Sequence, residues 1–410
     1  NVYDTLVLPA QGGPGHTPHL AASWDVDGAV YTFKLRDDVM FQSGNTMTSA
    51  DVVYSVQRMQ ALGAGLSYLF VGVTADAIDK NTVQLTLKTP YAPFIASLVR
   101  LPIVDAALVK ANSSSEWGED FLSANGAGTG AYGVTSHNPQ EETVMSKSDS
   151  YFLGVPNAAP DTVRLRYGLE AATVRTLIAQ GKHDIASQWL PPEVIQALSK
   201  DGAQLLTESG TGGFYFKMNT QKAPLDNVNC RLALRSAFDY ATAIQMIAIN
   251  DKVSGGSPAT GAIPVGMFGA NGTEMAQAQN LTAAKAYLAD CPYAPADMNL
   301  EVSWIAEVPL EERFALLMQS NFNALGISSK ITKLPWALFA EQVSTPESTP
   351  HISQLFVNAA TGDPDTLLYG MYHSSTPGTW QSPEYLNDAV VDAALDAGRL
   401  ATSDAERELA

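Results

Sequence analysis

The chain is expected to fold as an α/β protein built on mixed sheets, and three stretches carry that expectation. Phe214 to Met218 is an aromatic run bounded by Gly212, Gly213 and Asn219, the mark of a short buried strand. Behind it, Val228, Leu232, Leu234, Ala237, Phe238 and Ala241 recur at helical spacing, with Asp226 or Asn227 placed to cap the helix. Met298 to Ile305, Leu310 to Leu325 and Ile327 to Leu334 read as strand, helix and strand, with Gly326 ending the helix; such a unit builds a parallel sheet. Val163 to Tyr167, Ala171 to Gln180 and Asp184 to Pro191 repeat the alternation, with Gly181 closing the helix.

The remaining elements follow in chain order. Pro18 to Phe41 reads as strands, with Gly28 in a hairpin turn and Val30 to Leu35 alternating with period two. Thr48 is a natural N-cap for a helix whose apolar face is Val52, Val53, Val56 and Met59. Val83, Leu85 and Leu87 mark a strand, Pro90 and Pro93 break it, and Phe94 to Val99 is a short helix. Gly255 to Gly272 is rich in Gly and Pro and is read as irregular. Leu281 to Ala289 and Trp336 to Val343 are helices, and Ile352 to Val357 is a strand running into Asn358.

Composition narrows the function. The 410 residues suffice for two or three domains, and 46% hydrophobic with 16% charged residues suits a globular protein. A net charge of -18 argues against nucleic acid or an anionic membrane as partner, since either needs a basic surface. No apolar run is long enough to span a bilayer. Both ends of the chain read as cut inside structural elements.

Several motifs suggest chemistry and fall short of it. Gly128, Gly130 and Gly133 satisfy GxGxxG, but Pro139 leaves no room for the helix a dinucleotide site needs; the glycines read as a tight turn with Tyr132 packed inside. Gly255, Ser257 and Ala259 miss the GxSxG elbow at its last position. The six histidines are scattered and read as solvent-exposed loop residues, and no Cys or His cluster suits a metal. Cys230 and Cys291 are either one disulfide across roughly 60 residues, formed in an oxidising compartment, or two buried thiols.

Four groups of residues carry a resemblance. Asn219 and Thr220, then Lys222, Pro224, Leu225, Asp226, Val228, Arg231, Ala233, Leu234, Ala237 and Asp239, form the first. The second spans Leu20 to Ser55, including Trp24, Tyr31 to Arg36, Phe41, Gly44 and Thr48 to Tyr54. Gly128 to Tyr132 with Tyr151, Phe152, Gly154 and Pro156 form the third, and Asp363, Pro364 and Asp365 the fourth. Together they resemble the family 5 extracellular solute-binding proteins, the peptide and nickel receptors of ABC importers. Phe152 stands where the family has tryptophan.

The resemblance implies a two-lobed periplasmic binding protein fold, of the class with an extra subdomain, whose ligand sits in an interlobe cleft. Residues 1–14 and 126–212 would form the first lobe, 15–125 an inserted smaller subdomain and 213–410 the second lobe. It places Tyr215, Trp336, Asn358, Gln188 and Trp189 against the ligand. Peptide-binding members carry an aspartate three residues before the Asp-Pro pair that holds the ligand's ammonium; here that position is Ala360. A buried ammonium without a partner is costly, so the ligand is peptide-like without that anchor, or neutral and sugar- or opine-like. Asp363 and Asp365 belong to a turn and helix start.

The resulting expectation is an ABC importer receptor, periplasmic or extracellular, with or without a lipid anchor. It works as a monomer with membrane permease subunits and uses no cofactor, metal or nucleic acid. A hydrolase or a chemoreceptor-associated sensor on the same fold is the alternative.

Overall fold

The computed structural model describes residues 2–11, 15–186, 190–207, 210–270 and 278–410. Its contacts divide the chain into two units: Asn1–Leu169 with Ala360–Asp363 and Asp396–Ala410, and Glu170–Ala359 with Pro364–Leu395. The contacts therefore draw a line at 169/170, and group residues 170–212 with the chain that follows rather than with 1–14 and 126–169.

In the first unit, β1 (Val7–Pro9) and β2 (His16–Pro18) pair antiparallel. Strands β3 (Ala21–Asp27), β4 (Val30–Leu35), β5 (Thr74–Asp79) and β6 (Thr82–Thr86) form an antiparallel sheet in the order β3-β4-β6-β5. The hairpin joining β3 to β4 turns at Gly28, whose φ of 59° suits glycine. Period two sends Tyr31, Phe33 and Leu35 into the core. The helix Ser49–Leu62 packs on the same core through Val52 and Val56. At its start, the Asp51 carboxylate accepts from the Thr48 N–H at 2.8 Å and hydroxyl at 2.9 Å, fixing the cap.

Strands β7 (Tyr132–Asn138), β8 (Glu142–Lys147) and β9 (Thr162–Arg166) form an antiparallel sheet of their own. The glycine run before β7 leads into this strand without a helix. A side chain at Gly128 would collide with the Val2 carbonyl, so glycine is required there by close backbone approach. Tyr132 is half-buried and donates its hydroxyl to the Pro160 carbonyl at 2.7 Å, so it is not fully inside.

In the second unit, β10 (Gly212–Met218), β11 (Asn299–Ile305), β12 (Ser328–Leu334) and β13 (Ile352–Asn358) form a mixed sheet in the order β10-β13-β11-β12. β11 runs parallel to both β12 and β13, and β10 is antiparallel to β13. The crossover helix Leu310–Asn323 supplies Phe314, Met318 and Phe322 to one face, where Phe214, Phe216, Val302 and Ile352 meet them. Of these, Phe314, Met318, Phe322, Val302 and Ile352 are fully buried, each worth roughly 1.5–3 kcal/mol over leaving it exposed, and Phe214 and Phe216 are partly buried. The opposite face packs Tyr215, Leu355 and Val357 against Phe339, Leu367 and Met371. These come from the helices Trp336–Gln342 and Asp365–Tyr372.

Asn227 caps the helix Val228–Ala237, accepting from the N–H of Asn229 and of Cys230. Cys230 and Cys291 are joined in a disulfide, and no free cysteine remains. Residues 255–270 are irregular, as their Gly and Pro content dictates.

Two expectations are corrected here. Residues 184–186 form no strand, because no ladder partners them; Pro192 opens the helix Pro192–Lys200 soon after, and Ser187–Trp189 lie outside the described residues. Two of the six histidines, His19 and His351, are not solvent-exposed. His19 is buried with its Nε2 2.9 Å from Asp4 Oδ1. His351 is buried too: its Nδ1 accepts from the Glu301 N–H at 3.0 Å and its Nε2 donates to the Ala223 carbonyl at 3.1 Å.

Candidate ligand-binding site

Because β11, β12 and β13 are parallel, their carboxyl ends share one edge of the second unit's sheet, with the start of β10 beside them. In open α/β sheets that edge is where ligands sit, because loops and helix starts there leave backbone groups and side chains free to turn outward. Trp336 lies two residues past the end of β12, and Asn358 ends β13. The two strands are two ladder spacings apart in the sheet order, about 10 Å.

Tyr215 lies on β10 opposite Leu355. Its ring folds back along Gly213, which brings the hydroxyl toward the strand start and the shared edge. Burial alone pushes its hydroxyl up to about 12, and among the described residues that hydroxyl makes no hydrogen bond. It is therefore a neutral group able both to donate and to accept.

Asn358 pairs with Gly212, and the pleat puts it on the sheet face opposite Tyr215. Its amide lies so close to Gly212 that no side chain fits there, which is why the strand opens on glycine. Trp336 is 41% exposed, an unusual placement for an indole in a helix that otherwise buries Phe339. Its backbone N–H donates to the Glu307 carboxylate, which anchors the first turn of its helix.

The other expected contacts are Ala360, Gln188 and Trp189. Ala360 belongs to the first unit, where its carbonyl accepts from Arg100 Nε. Gln188 and Trp189 lie outside the described residues. Asp363 is held by both arms of Arg407, at 2.6 and 2.7 Å, within the first unit. Its neighbour Asp365 opens the helix Asp365–Tyr372, in keeping with a turn and helix start.

Three features escaped the sequence. Trp380 meets Trp336 edge to face, with ring centres 5.3 Å apart. Lys217 and Glu384 form a buried pair at 2.9 Å, with Lys217 Nζ 4.4 Å from the centre of the Tyr372 ring. Burial pushes Lys217 down and Glu384 up, and their contact opposes both shifts; the cation–π placement favours the ionised pair. Burial likewise raises the Tyr372 hydroxyl. An aromatic inside a run of turn residues, as Trp380 is between Pro377 and Pro383, was the one available signal, since exposed aromatics in loops often contact partners.

Two surface hollows of the first unit have volumes of about 660 and 470 Å³, lined by residues such as Tyr68 and Lys88 or Asn45 and Lys110. Neither includes any of these residues, and both are open grooves of the first unit; Tyr68 is the one aromatic side chain among their lining residues. Ser257 is exposed in an irregular stretch and makes no hydrogen bond to a base among the described residues. Among the described residues there is no group of metal-ligating side chains, and no helix is long and apolar enough to cross a membrane.

The fold is that of a periplasmic binding protein. Residues 16–379 match the bacterial extracellular solute-binding proteins, family 5 Middle, and the chain belongs to that family. It is 29% identical over 392 residues to the probable D,D-dipeptide-binding periplasmic protein DdpA of Escherichia coli K12, covering 94% of this chain and 73% of that one. The crystal structure of the ABC transporter substrate binding protein CtaP from Listeria monocytogenes superposes with a TM-score of 0.86. At 20% identity, and covering all of this chain and 82% of that one, it shares the periplasmic binding protein fold. The binding protein AgaA of A. tumefaciens R10, in complex with agropinic acid, is 25% identical with a TM-score of 0.75, covering all of this chain and 82% of that one.

Proposed function

We propose that this chain is the receptor of an ABC importer, capturing a peptide-like solute outside the cytoplasmic membrane and passing it to permease subunits. The family match across residues 16–379 carries this reading, and DdpA's dipeptide-binding description directs it toward peptide-like ligands. The Cys230–Cys291 disulfide supports an oxidising compartment, in the periplasm or at the outer face of the membrane.

Tyr215 offers the ligand a neutral hydroxyl, Asn358 an amide able to pair with a peptide group, and Trp336 an apolar wall. The receptor works as a monomer, binds without covalent chemistry and needs no cofactor. Ala360 supplies no charge for an ammonium, so a blocked or internal amine suits the site better than a free one.

Native mass spectrometry of the purified protein reads both the monomer mass and any co-purified solute. Thermal unfolding with free and N-acetylated peptides, agropinic acid and neutral sugars then ranks ligand classes, because a ligand of the folded state raises the midpoint. Stabilisation by peptides supports the reading; stabilisation by agropinic acid or sugars alone overturns the peptide-like part. Turnover of any peptide in the panel overturns the receptor itself.

A further inference from the structure

Trp336 and Trp380 meet at 5.3 Å with their planes 70° apart, and Trp336 also stacks on Phe339 at 5.9 Å. Two indoles at such an angle leave a corner in which a third ring stacks on one face and meets the other edge-on. Trp336 is partly open to solvent, and Trp380 is half-buried on the same apolar cluster that holds Tyr215.

The loop carrying Trp380 is fixed at its far end. Tyr385 has a left-handed backbone with φ 55°, a conformation that persists in a bulky residue only when its surroundings enforce it. They do so here. Thr220 donates through its hydroxyl to the carbonyls of Glu384 and Tyr385 at 2.9 and 3.0 Å, Lys217 holds the Glu384 carboxylate, and the Tyr385 hydroxyl donates to the Val343 carbonyl at 2.8 Å. The strand bearing Tyr215 thus sets the loop that bears Trp380, and a rigid aromatic surface loses little entropy on binding.

We propose that Trp336 and Trp380 form an aromatic corner that receives a planar aromatic side chain of the ligand, making Trp380 a specificity-determining residue. This rests on the peptide-like reading above.

The probes are trialanine and Ala-Phe-Ala, each free and N-acetylated, titrated calorimetrically into the full chain. The wild type is expected to bind the phenylalanine peptide about tenfold more tightly than its alanine counterpart. Trp380→Ala is expected to cut that ratio below about threefold, and Trp380→Phe to give an intermediate ratio should the alanine variant not fold. Trp24→Phe, on β3 of the first unit, keeps the wild-type ratio. Equal affinity of the wild type for both peptides, or a ratio that survives loss of the Trp380 indole, overturns the corner and leaves the peptide-like reading standing. Failure of the wild type to bind any of the four peptides overturns both.

Discussion

Lys217 and Glu384 stand 167 residues apart in sequence and meet at 2.9 Å with both side chains buried. The second carboxylate oxygen of Glu384 has no hydrogen-bond partner among the described residues. Such a pair tolerates joint replacement better than the loss of one member, since one member alone is an uncompensated buried charge.

Lys217→Met is therefore expected to lower stability by roughly 3–5 kcal/mol, and Lys217→Met with Glu384→Leu by much less. Urea unfolding of the three proteins checks this. A double variant as unstable as the single one would mean that the pair's packing, not its charge, is what matters.

Glu311 gives stability a pH dependence. It is fully buried, its Oε2 accepts from the Ile305 N–H at 2.7 Å, and burial pushes its carboxyl up to about 8 despite that bond. Below the unfolded pKa of about 4.3 both states are protonated and the contribution is whole. As pH rises from there toward 8 only the unfolded state releases its proton, so stability falls by up to about 1.4 kcal/mol per pH unit. Urea midpoints measured from pH 5 to 8 are expected to decline in the wild type and to flatten in Glu311→Gln.

The disulfide joins residues 61 apart. Loop closure of that size in the unfolded chain corresponds to about 4 kcal/mol at 25 °C. Denaturation with and without reductant, and of Cys230→Ser with Cys291→Ser, is expected to differ from the oxidised protein by an amount of that order.

Gly212→Ala tests the start of β10. The added methyl would overlap the Val357 carbonyl and the Asn358 side chain, and both belong to the paired strand, which can yield only by opening the ladder. A loss of about 1–3 kcal/mol is expected, read as a lower thermal midpoint. An unchanged midpoint would show that the strand end gives way freely.

What the sequence made legible was local. The caps at Thr48 and Asn227, the period of Tyr31, Phe33 and Leu35, and the strand, helix and strand around Leu310–Asn323 each depend on neighbours within a few residues. The motifs around Asn219 and Trp24, equally local, led to the family. Of the expected site, Tyr215 and Trp336 share one face of the sheet with Trp380, and Asn358 sits at its edge on the other face. Trp380 and the Lys217–Glu384 pair were not legible, because contacts between residues far apart in sequence leave no periodic trace. His19 and His351 were misjudged because no local pattern marks their partners: nothing beside His19 in sequence announces Asp4, or a core around them both.

The covalent link between Cys230 and Cys291 also encloses the irregular residues 255–270, where Val265 is well exposed. A protease that nicks the chain there cuts a ring rather than a line. The product keeps its mass on a non-reducing gel and separates into two pieces only once the sulfur bridge is opened, so clipped material would pass for intact protein in any purification run without reductant.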